Sequence, residues 1–381
     1  MKKYLAALAL LVAFSPSVLL LAQETEGTAD KKTDAAAAVP APPQVDLGAL
    51  EQAAVQAAVV KVEPSVVRIE TIGGLESIGR MRLGTGPTSG LIISPEGYIV
   101  SSAFNFIGKP TQVIVQLGSK KRYAAKQIAT DHRLNLTLLK IEPEGKLVVP
   151  EMANPQFIKP GQWAIAVGRT FELEHPNPTV GVVSALGRIW GRAIQTDAAT
   201  NPNNYGGPLL DIHGRVMGIV APLDMQSQQV IAGHDRYDSG IGFAISNDLL
   251  LASAELLKKG EDLEPGLLAI GTKRGNPAIT EAIISKVLDG TPLANAGIKE
   301  KDKIVALDKK EIGYISHLKR ALAMKLAGEK VKITVERDGK KIEKEIALIS
   351  AKQAGKEYEK LMEKKRLEAE KKKKEREKKE K

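Results

Sequence analysis

A chain of 381 residues, 43% hydrophobic and 26% charged, is long enough for two or three domains and has apolar side chains enough for a sizeable core. It contains no cysteine, which excludes disulfides and thiolate metal sites. The formal net charge is +10, but residues 351–381 carry 14 Lys and Arg against 8 Glu; the body keeps only +4, and no nucleic-acid partner is expected.

In chain order, residues 1–22 read as a secretory signal: Lys2 and Lys3 precede an uncharged, largely apolar run from Tyr4 to Ala22. Ala22 suits a cleavage site and Leu20 does not. The segment is therefore either cleaved or kept as a membrane anchor, and in both cases the body is exported, to a periplasm or beyond. Residues 23–48, rich in Ala and Pro, bury too little to offset their ordering entropy and read as a disordered linker. From Gly48 to Val62, Leu50, Val55 and Val59 fall at helical spacing.

Short β runs then follow: Ser65–Glu70, Gly90–Ser94, Tyr98–Ser102, Thr111–Leu117, Asn135–Ile141, Trp163–Gly168, Thr179–Leu186, Pro208–Ile212, Arg215–Val220 and Gly240–Ile245. Pro95-Glu96-Gly97 and His213-Gly214 mark hairpins. This spacing fits an all-β sandwich or a pair of barrels, and periodicity does not choose between them. Asn247–Lys259 has helical periodicity, and residues 249–265 read as a helical linker. A second, smaller unit spans residues 266–350. It contains a helix from Ile315 to Ala327 capped by Gly328, then a hairpin in which Val331, Ile333 and Val335 alternate, Asp338-Gly339 turns, and Ile342, Ile346 and Leu348 return. Residues 351–381 alternate Lys, Arg and Glu as a solvated helix would.

Several motifs in this order carry a resemblance. Gln195–Asp211 reads QTDAATNPNNYGGPLLD, Ser89–Ser94 reads SGLIIS, Asp131–Ile141 reads DHRLNLTLLKI, Gly161–Gly168 reads GQWAIAVG, and Ile241–Ile245 reads IGFAI. Together they resemble the HtrA/Deg family of serine proteases, whose nucleophile loop is usually TDAxINPGNSGGPLL. The resemblance implies a mainly β protein: a trypsin-like double six-stranded β-barrel over residues 49–248, followed by a small α+β PDZ domain. It implies no cofactor and no metal.

Carried over residue by residue, the resemblance puts the catalytic histidine at Phe104, the aspartate at Asn135 and the serine at Tyr205, with Asn203 where the family has an oxyanion-hole glycine. Phe104 cannot take a proton, Asn135 cannot stabilise an imidazolium, and the Tyr205 hydroxyl lies too far from the backbone for serine's attack geometry. The histidines His132, His175, His213, His234 and His317 suggest no relocated base, although His132 precedes Asn135 closely enough to reach the cleft rim. Ser101 and Ser102 border Phe104 but need a base that the sequence does not supply. Phe104 and Tyr205 are expected to fill the cleft as an edge-on or offset aromatic pair.

In the second unit, Leu267, Leu268, Ala269 and Ile270 match the carboxylate-binding loop of a PDZ domain, with Ala269 at a common glycine position. Residues 284–304 (ISKVLDGTPLANAGIKEKDKI) resemble the family pattern, with Lys301 at another glycine position. Such a domain takes a peptide C-terminus as an added strand. Helical spacing puts Leu318 and Leu322 on one face, read as core, and His317, Ala321 and Met324 on another, read as the groove.

Three functions follow as expectations. The first is an exported pseudoprotease scaffold that binds protein C-termini or unfolded segments. The second is a quality-control serine endopeptidase with a non-standard site. The third is an adapter whose basic tail makes weak contact with an anionic envelope surface. Family resemblance also raises a homotrimer.

Overall fold

The computed structural model describes residues 46–75, 77–78, 81–82, 86–172, 174–223 and 240–379. The expected leader, nearly all of the Ala/Pro-rich linker and His234 lie outside these residues.

The first helix, α1 (Leu47–Val62), lays Val55, Ala58, Val59 and Val62 against the core and leaves Leu50 exposed. Strand β1 (Val66–Ile72) follows. A small ribbon of β2 (Ser77–Ile78) and β3 (Met81–Arg82) precedes β4 (Thr88–Ile92), β5 (Tyr98–Ser102), β6 (Gln112–Gln116), β7 (Arg122–Asp131) and β8 (Leu136–Lys140). These close into a barrel in the order β1-β4-β5-β8-β7-β6. A second closed barrel is built from β9 (Trp163–Gly168), β10 (Asn177–Gly187), β11 (Ala193–Thr196), β12 (Pro208–Leu210), β13 (Val216–Val220) and β14 (Gly242–Ser246), in the order β10-β11-β14-β13-β12-β9. The one-turn element α2 (Arg188–Gly191) joins β10 to β11. Closure removes the exposed edges that open sheets would carry, so the choice left open by periodicity falls to two barrels.

All ten strands expected in this part agree with observed ones to within about two residues at each end. Two barrel strands were not expected, nor was the short β2–β3 ribbon. In β7 only Tyr123 and Ile128 are bulky, and β11 is four residues long, so neither leaves a strong alternating pattern.

The barrels meet along strands that are buried from end to end, β4 and β13. Arg169, fully buried at the end of β9, ties this seam: its backbone N–H donates to Ser89 Oγ at 2.8 Å, and its guanidinium reaches the Glu63 carboxylate at 3.1 Å. The next helix, α3 (Asn247–Leu257), buries Leu250, Ala254 and Leu257 in the barrel core. Its first half therefore corrects the expectation of a helical linker at 249–265, because those side chains face inward at i, i+4 and i+7.

The second unit contains β15 (Ile270–Thr272), β16 (Ile284–Val287), the short α4 (Pro292–Asn295), β17 (Lys303–Leu307), β18 (Lys310–Glu311), α5 (Ile315–Leu322), β19 (Lys330–Arg337) and β20 (Lys340–Ala347). The β19–β20 hairpin turns at Asp338 (φ 51°) and Gly339 (φ 74°), the two consecutive left-handed residues of a type I′ turn. Helix α5 stops at Leu322 and does not run to Ala327. Residues 325–327 are taken instead by the segment before β15: Gly266 N–H donates to Lys325 O and Ala327 N–H to Glu264 O. Gly328 (φ 84°) lies beyond that turn and is not the helix cap. The last helix, α6 (Ala351–Lys379), starts with reciprocal bonds between Ser350 and Gln353.

Candidate functional site

The loop from Asn201 to Gly207 crosses between β11 and β12 at the seam of the barrels. Its backbone is tied down internally. Asn201 Oδ1 accepts the Asn203 N–H at 3.0 Å, and Asn201 O accepts the N–H groups of Asn204 at 3.0 Å and Tyr205 at 3.2 Å. Asn204 closes the turn from the other side: its Oδ1 accepts from Asn201 N–H and its Nδ2 donates to Ala199 O. The first barrel clamps the loop through Ser89 Oγ to Asn203 O at 2.8 Å and Thr88 Oγ1 to Tyr205 O at 2.9 Å. Gly206, at φ 85°, lies so close to β4 and β5 that a Cβ there would stand 2.3 Å from Ser89 O.

This folding buries Tyr205, leaving it 4% exposed in the core cluster of the second barrel. Its ring meets the half-buried ring of Phe104 edge-on, with centroids 5.6 Å apart and planes at 82°. Asn135, in the left-handed region at φ 58°, is buried beside them. Its carbonyl accepts from Ala103 N–H, and its Nδ2 donates to Pro222 O at 3.2 Å. Phe104, Asn135 and Tyr205 thus gather in one place. The adjoining cavity, lined by Thr200, Tyr205, Ala221, Pro222, Leu223, Ile241 and Phe243, holds about 20 Å³, room for about one water. Ser101 and Ser102 are both buried. Ser101 Oγ donates to Ser89 O, and Ser102 Oγ accepts from Phe104 N–H. His132 does not reach this cleft; its ring faces Asp262 at 3.8 Å and Glu264 at 3.7 Å.

A second concavity, of about 320 Å³, lies between α5 and the loop Leu267–Ile270. Leu267 N–H is used by Ile349 O. The N–H groups of Leu268 and Ala269 have no acceptor among the described residues, and Ala269 sits in the left-handed region at φ 54°. Successive N–H groups around such a turn form a concavity suited to an anion. The helix face turned to this loop is Ile315, Leu318, Lys319 and Leu322. That corrects the expected groove face. Ala321 is buried in the core of its unit, Met324 lies past the helix end against the barrel core, and exposed His317 accepts from Gly313 N–H and stacks edge-on with Tyr314 at 5.4 Å. Helical spacing identifies two faces but not which one the loop covers, and no signal in the sequence does.

The barrel pair supplies the other wall. His132, Arg133, Trp190 and Arg192 line the same concavity, and Lys319 Nζ lies 5.0 Å from the centre of the Trp190 ring. Buried Arg133 bonds to both carboxylate oxygens of Asp131 and donates to Met324 O at 2.8 Å, which links the barrel to the turn after α5. Among the described residues no three His, Cys, Asp or Glu side chains converge on a metal position.

Comparison with known proteins agrees with this architecture. The trypsin-like peptidase domain family matches residues 88–219, and the PDZ domain family matches residues 246–348. A probable periplasmic serine endoprotease DegP-like of Chlamydia trachomatis is 33% identical over 67% of this chain and 52% of its own length; one from Marinomonas sp. is 33% identical over 66% and 54%. The chain thus spans about half the length of the curated relatives it matches. Among solved structures, the HtrA-type protease AlgW with tripeptide superposes with a TM-score of 0.63 at 26% identity, over 77% of this chain and 96% of that one. A serine endoprotease from Yersinia pestis gives 0.59 at 25%, over 78% and 97%.

Proposed function

The chain belongs to the HtrA/DegP-like family, with a trypsin-like peptidase domain followed by a PDZ domain; from that premise we propose that it is an exported pseudoprotease that holds peptides rather than cutting them. The observation that carries this reading is the closed loop at Asn201–Tyr205. Acyl transfer needs an activated nucleophile and backbone donors aimed at the developing oxyanion. Phe104, Asn135 and Tyr205 stand where the family resemblance puts the triad, and none of them is a competent base, orienting carboxylate or short hydroxyl. The N–H of Asn203, at the expected oxyanion position, and that of Tyr205 beside it are both spent on Asn201. The cavity beside Tyr205 is too small for a substrate side chain. The buried hydroxyl of Ser101 is spent on Ser89 O.

The groove between α5 and Leu267–Ile270 supports the binding half of the reading. It has free N–H donors for a terminal carboxylate and an aliphatic wall for the last side chain. Solved relatives, the HtrA-type protease AlgW among them, carry a tripeptide or a decapeptide. Periplasmic placement is proposed from the named relatives and the apolar N-terminal run.

The test is a two-part assay on the full chain. An unfolded, carboxymethylated protein is incubated with it and followed by mass spectrometry, and peptides with free or amidated C-termini are titrated by anisotropy. No cleavage, with binding that needs the free carboxylate, is expected. Because the curated relatives are named serine endoproteases, turnover that Tyr205→Phe abolishes would replace this reading with an active enzyme.

A further inference from the structure

The groove is not made by the PDZ unit alone, and the wall lent by the barrels is charged. Of the residues lining it, Arg133, Arg192 and Lys319 are cationic and none is a carboxylate. Arg133 is already neutralised: Asp131 takes its Nε and Nη2, and Ser253 Oγ occupies the same carboxylate. Arg192 has no such partner. Its Nε donates to Ile189 O at 3.1 Å and its Nη1 to Arg133 O, both neutral carbonyls, and among the described residues no carboxylate bonds to it. Burial pushes its guanidinium pKa down, against the more distant field of Asp131. Lys319 lies over the face of Trp190 and has no carboxylate partner among the described residues. The nearby acids Asp262 and Glu264 stand by His132 and outside the groove lining.

Arg192 is also held in place. It follows the turn Arg188–Gly191, in which Ile189 (φ 49°) and Trp190 (φ 63°) are both left-handed, and buried Ile189 anchors that turn in the barrel core. Two cations without a carboxylate partner among the described residues, one of them partly desolvated and rigid, face a groove otherwise lined by aliphatic side chains and backbone together with His132, the paired Arg133, Trp190 and Thr272. An anion brought there restores a charge-assisted bond that the free protein lacks.

We infer that the groove selects peptide C-termini carrying an acidic side chain shortly before an apolar last residue, with Arg192 and Lys319 receiving the acid. The inference rests on the peptide-binding reading above and adds a substrate class to it. The terminal carboxylate goes to the Leu268 and Ala269 N–H groups, the last side chain to Leu318 and Leu322, and the upstream carboxylate to Arg192 from the barrels and Lys319 from α5. A neighbouring domain thereby sets specificity for the groove.

The test uses the full chain and synthetic octapeptides ending in Val, with Glu or Gln placed in turn at each of the three positions before it. Affinity is read by anisotropy at low and at physiological salt. At one position at least, the Glu peptide is expected to bind about tenfold more tightly than its Gln partner at low salt, since bonds to charged groups exceed neutral ones by that order. The ratio should shrink as salt rises. Lys319→Gln and Arg192→Gln should each lower that ratio to about twofold. Should Arg192→Gln disturb the turn, Lys319→Gln carries the test by itself. Equal affinity for Glu and Gln peptides at all three positions overturns the acidic selection and leaves the peptide groove standing. No binding of any octapeptide overturns both.

Discussion

Tyr205→Ser is the change that looks most like a repair, and the structure makes it a lesion. Tyr205 is 4% exposed and packs in the core of the second barrel against Phe104. Burying roughly 150 Å² of aromatic surface at about 25 cal/mol per Å² amounts to about 4 kcal/mol. The edge-on contact with Phe104 adds about 0.5–1.5 kcal/mol. Phe104 is half-buried and can swing toward the space, which returns part of that. The neighbouring cavity of about 20 Å³ shows that no other side chain stands ready to fill the gap. The net loss should be about 3–4 kcal/mol, within the usual range for removing a buried ring. Tyr205→Phe keeps the ring and should cost about 1 kcal/mol or less. Urea unfolding of the parent and both variants measures this, with cleavage of an unfolded protein followed in parallel. A Tyr205→Ser protein within about 1 kcal/mol of the parent, or one that cuts, would refute the reasoning.

Four further outcomes are expected. Asn201→Ala strips the acceptor from the Asn203 N–H and should cost about 1 kcal/mol in a thermal melt without creating hydrolysis; appearance of cleavage would show that the bond was masking a working hole. Asp302 is buried, which pushes its pKa up, but two 2.7 Å bonds from Arg337 and one from the Lys299 N–H outweigh this and hold it below the usual range. The unfolded chain therefore binds this proton more tightly, so the pair's stability is present above about pH 4 and is lost as pH falls through the lower folded value; Arg337→Met should cost about 2–3 kcal/mol at neutral pH and flatten that acid limb in urea titrations. Exposed Lys301 sits at φ 72°, so Lys301→Gly should stabilise by about 0.5–1 kcal/mol in spite of its entropy, and a loss of stability would reject strain there. Leu322→Asp should weaken C-terminal peptide binding by more than about tenfold while His317→Ala leaves it unchanged, because Leu322 lines the groove and His317 does not; the reverse result would restore the other helix face.

The barrels were legible because their strands bury one face or both, as in Tyr98–Ser102 and Trp163–Gly168, and because hairpin turns punctuate them. Strand β7 was hidden because its outer positions are Arg, Ala, Lys and Gln and only Tyr123 and Ile128 are bulky apolar residues, so no strong alternation marks it. The gathering of Phe104, Asn135 and Tyr205 followed from motif order alone. The fate of the loop donors did not: Asn201 reads as a turn former, but only the folded loop shows that its side-chain oxygen takes the Asn203 N–H. The groove face failed for a related reason. Helical spacing defines Ile315, Leu318, Lys319 and Leu322 as one stripe and His317 and Ala321 as another, and tertiary packing decides which stripe meets the loop. Trp190 and Arg192 were missed outright, since nothing local to them signals a role in a domain that begins some 75 residues later.

A cleft that had simply lost its chemistry would be expected to leave polar groups stranded, because buried donors without acceptors cost about 1–3 kcal/mol each. The loop here shows the opposite. From Asn203 to Gly207 every backbone N–H has a protein acceptor: four are taken by Asn201 or Asn204 of the loop itself and that of Gly206 by Val220 O in β13. Among the described residues of the cleft only Asn135 Oδ1 is left without a bond. Meanwhile Asn135 and Ala269 hold left-handed backbone conformations that favour glycine, which surrounding bonds and packing must enforce. The two sites have thus diverged under the same physics. The cleft has spent its donors on itself and filled its volume with rings, whereas the groove keeps, among the described residues, two N–H groups without acceptors and two cations without carboxylate partners, and polar groups of that kind facing a cavity are what a ligand can use.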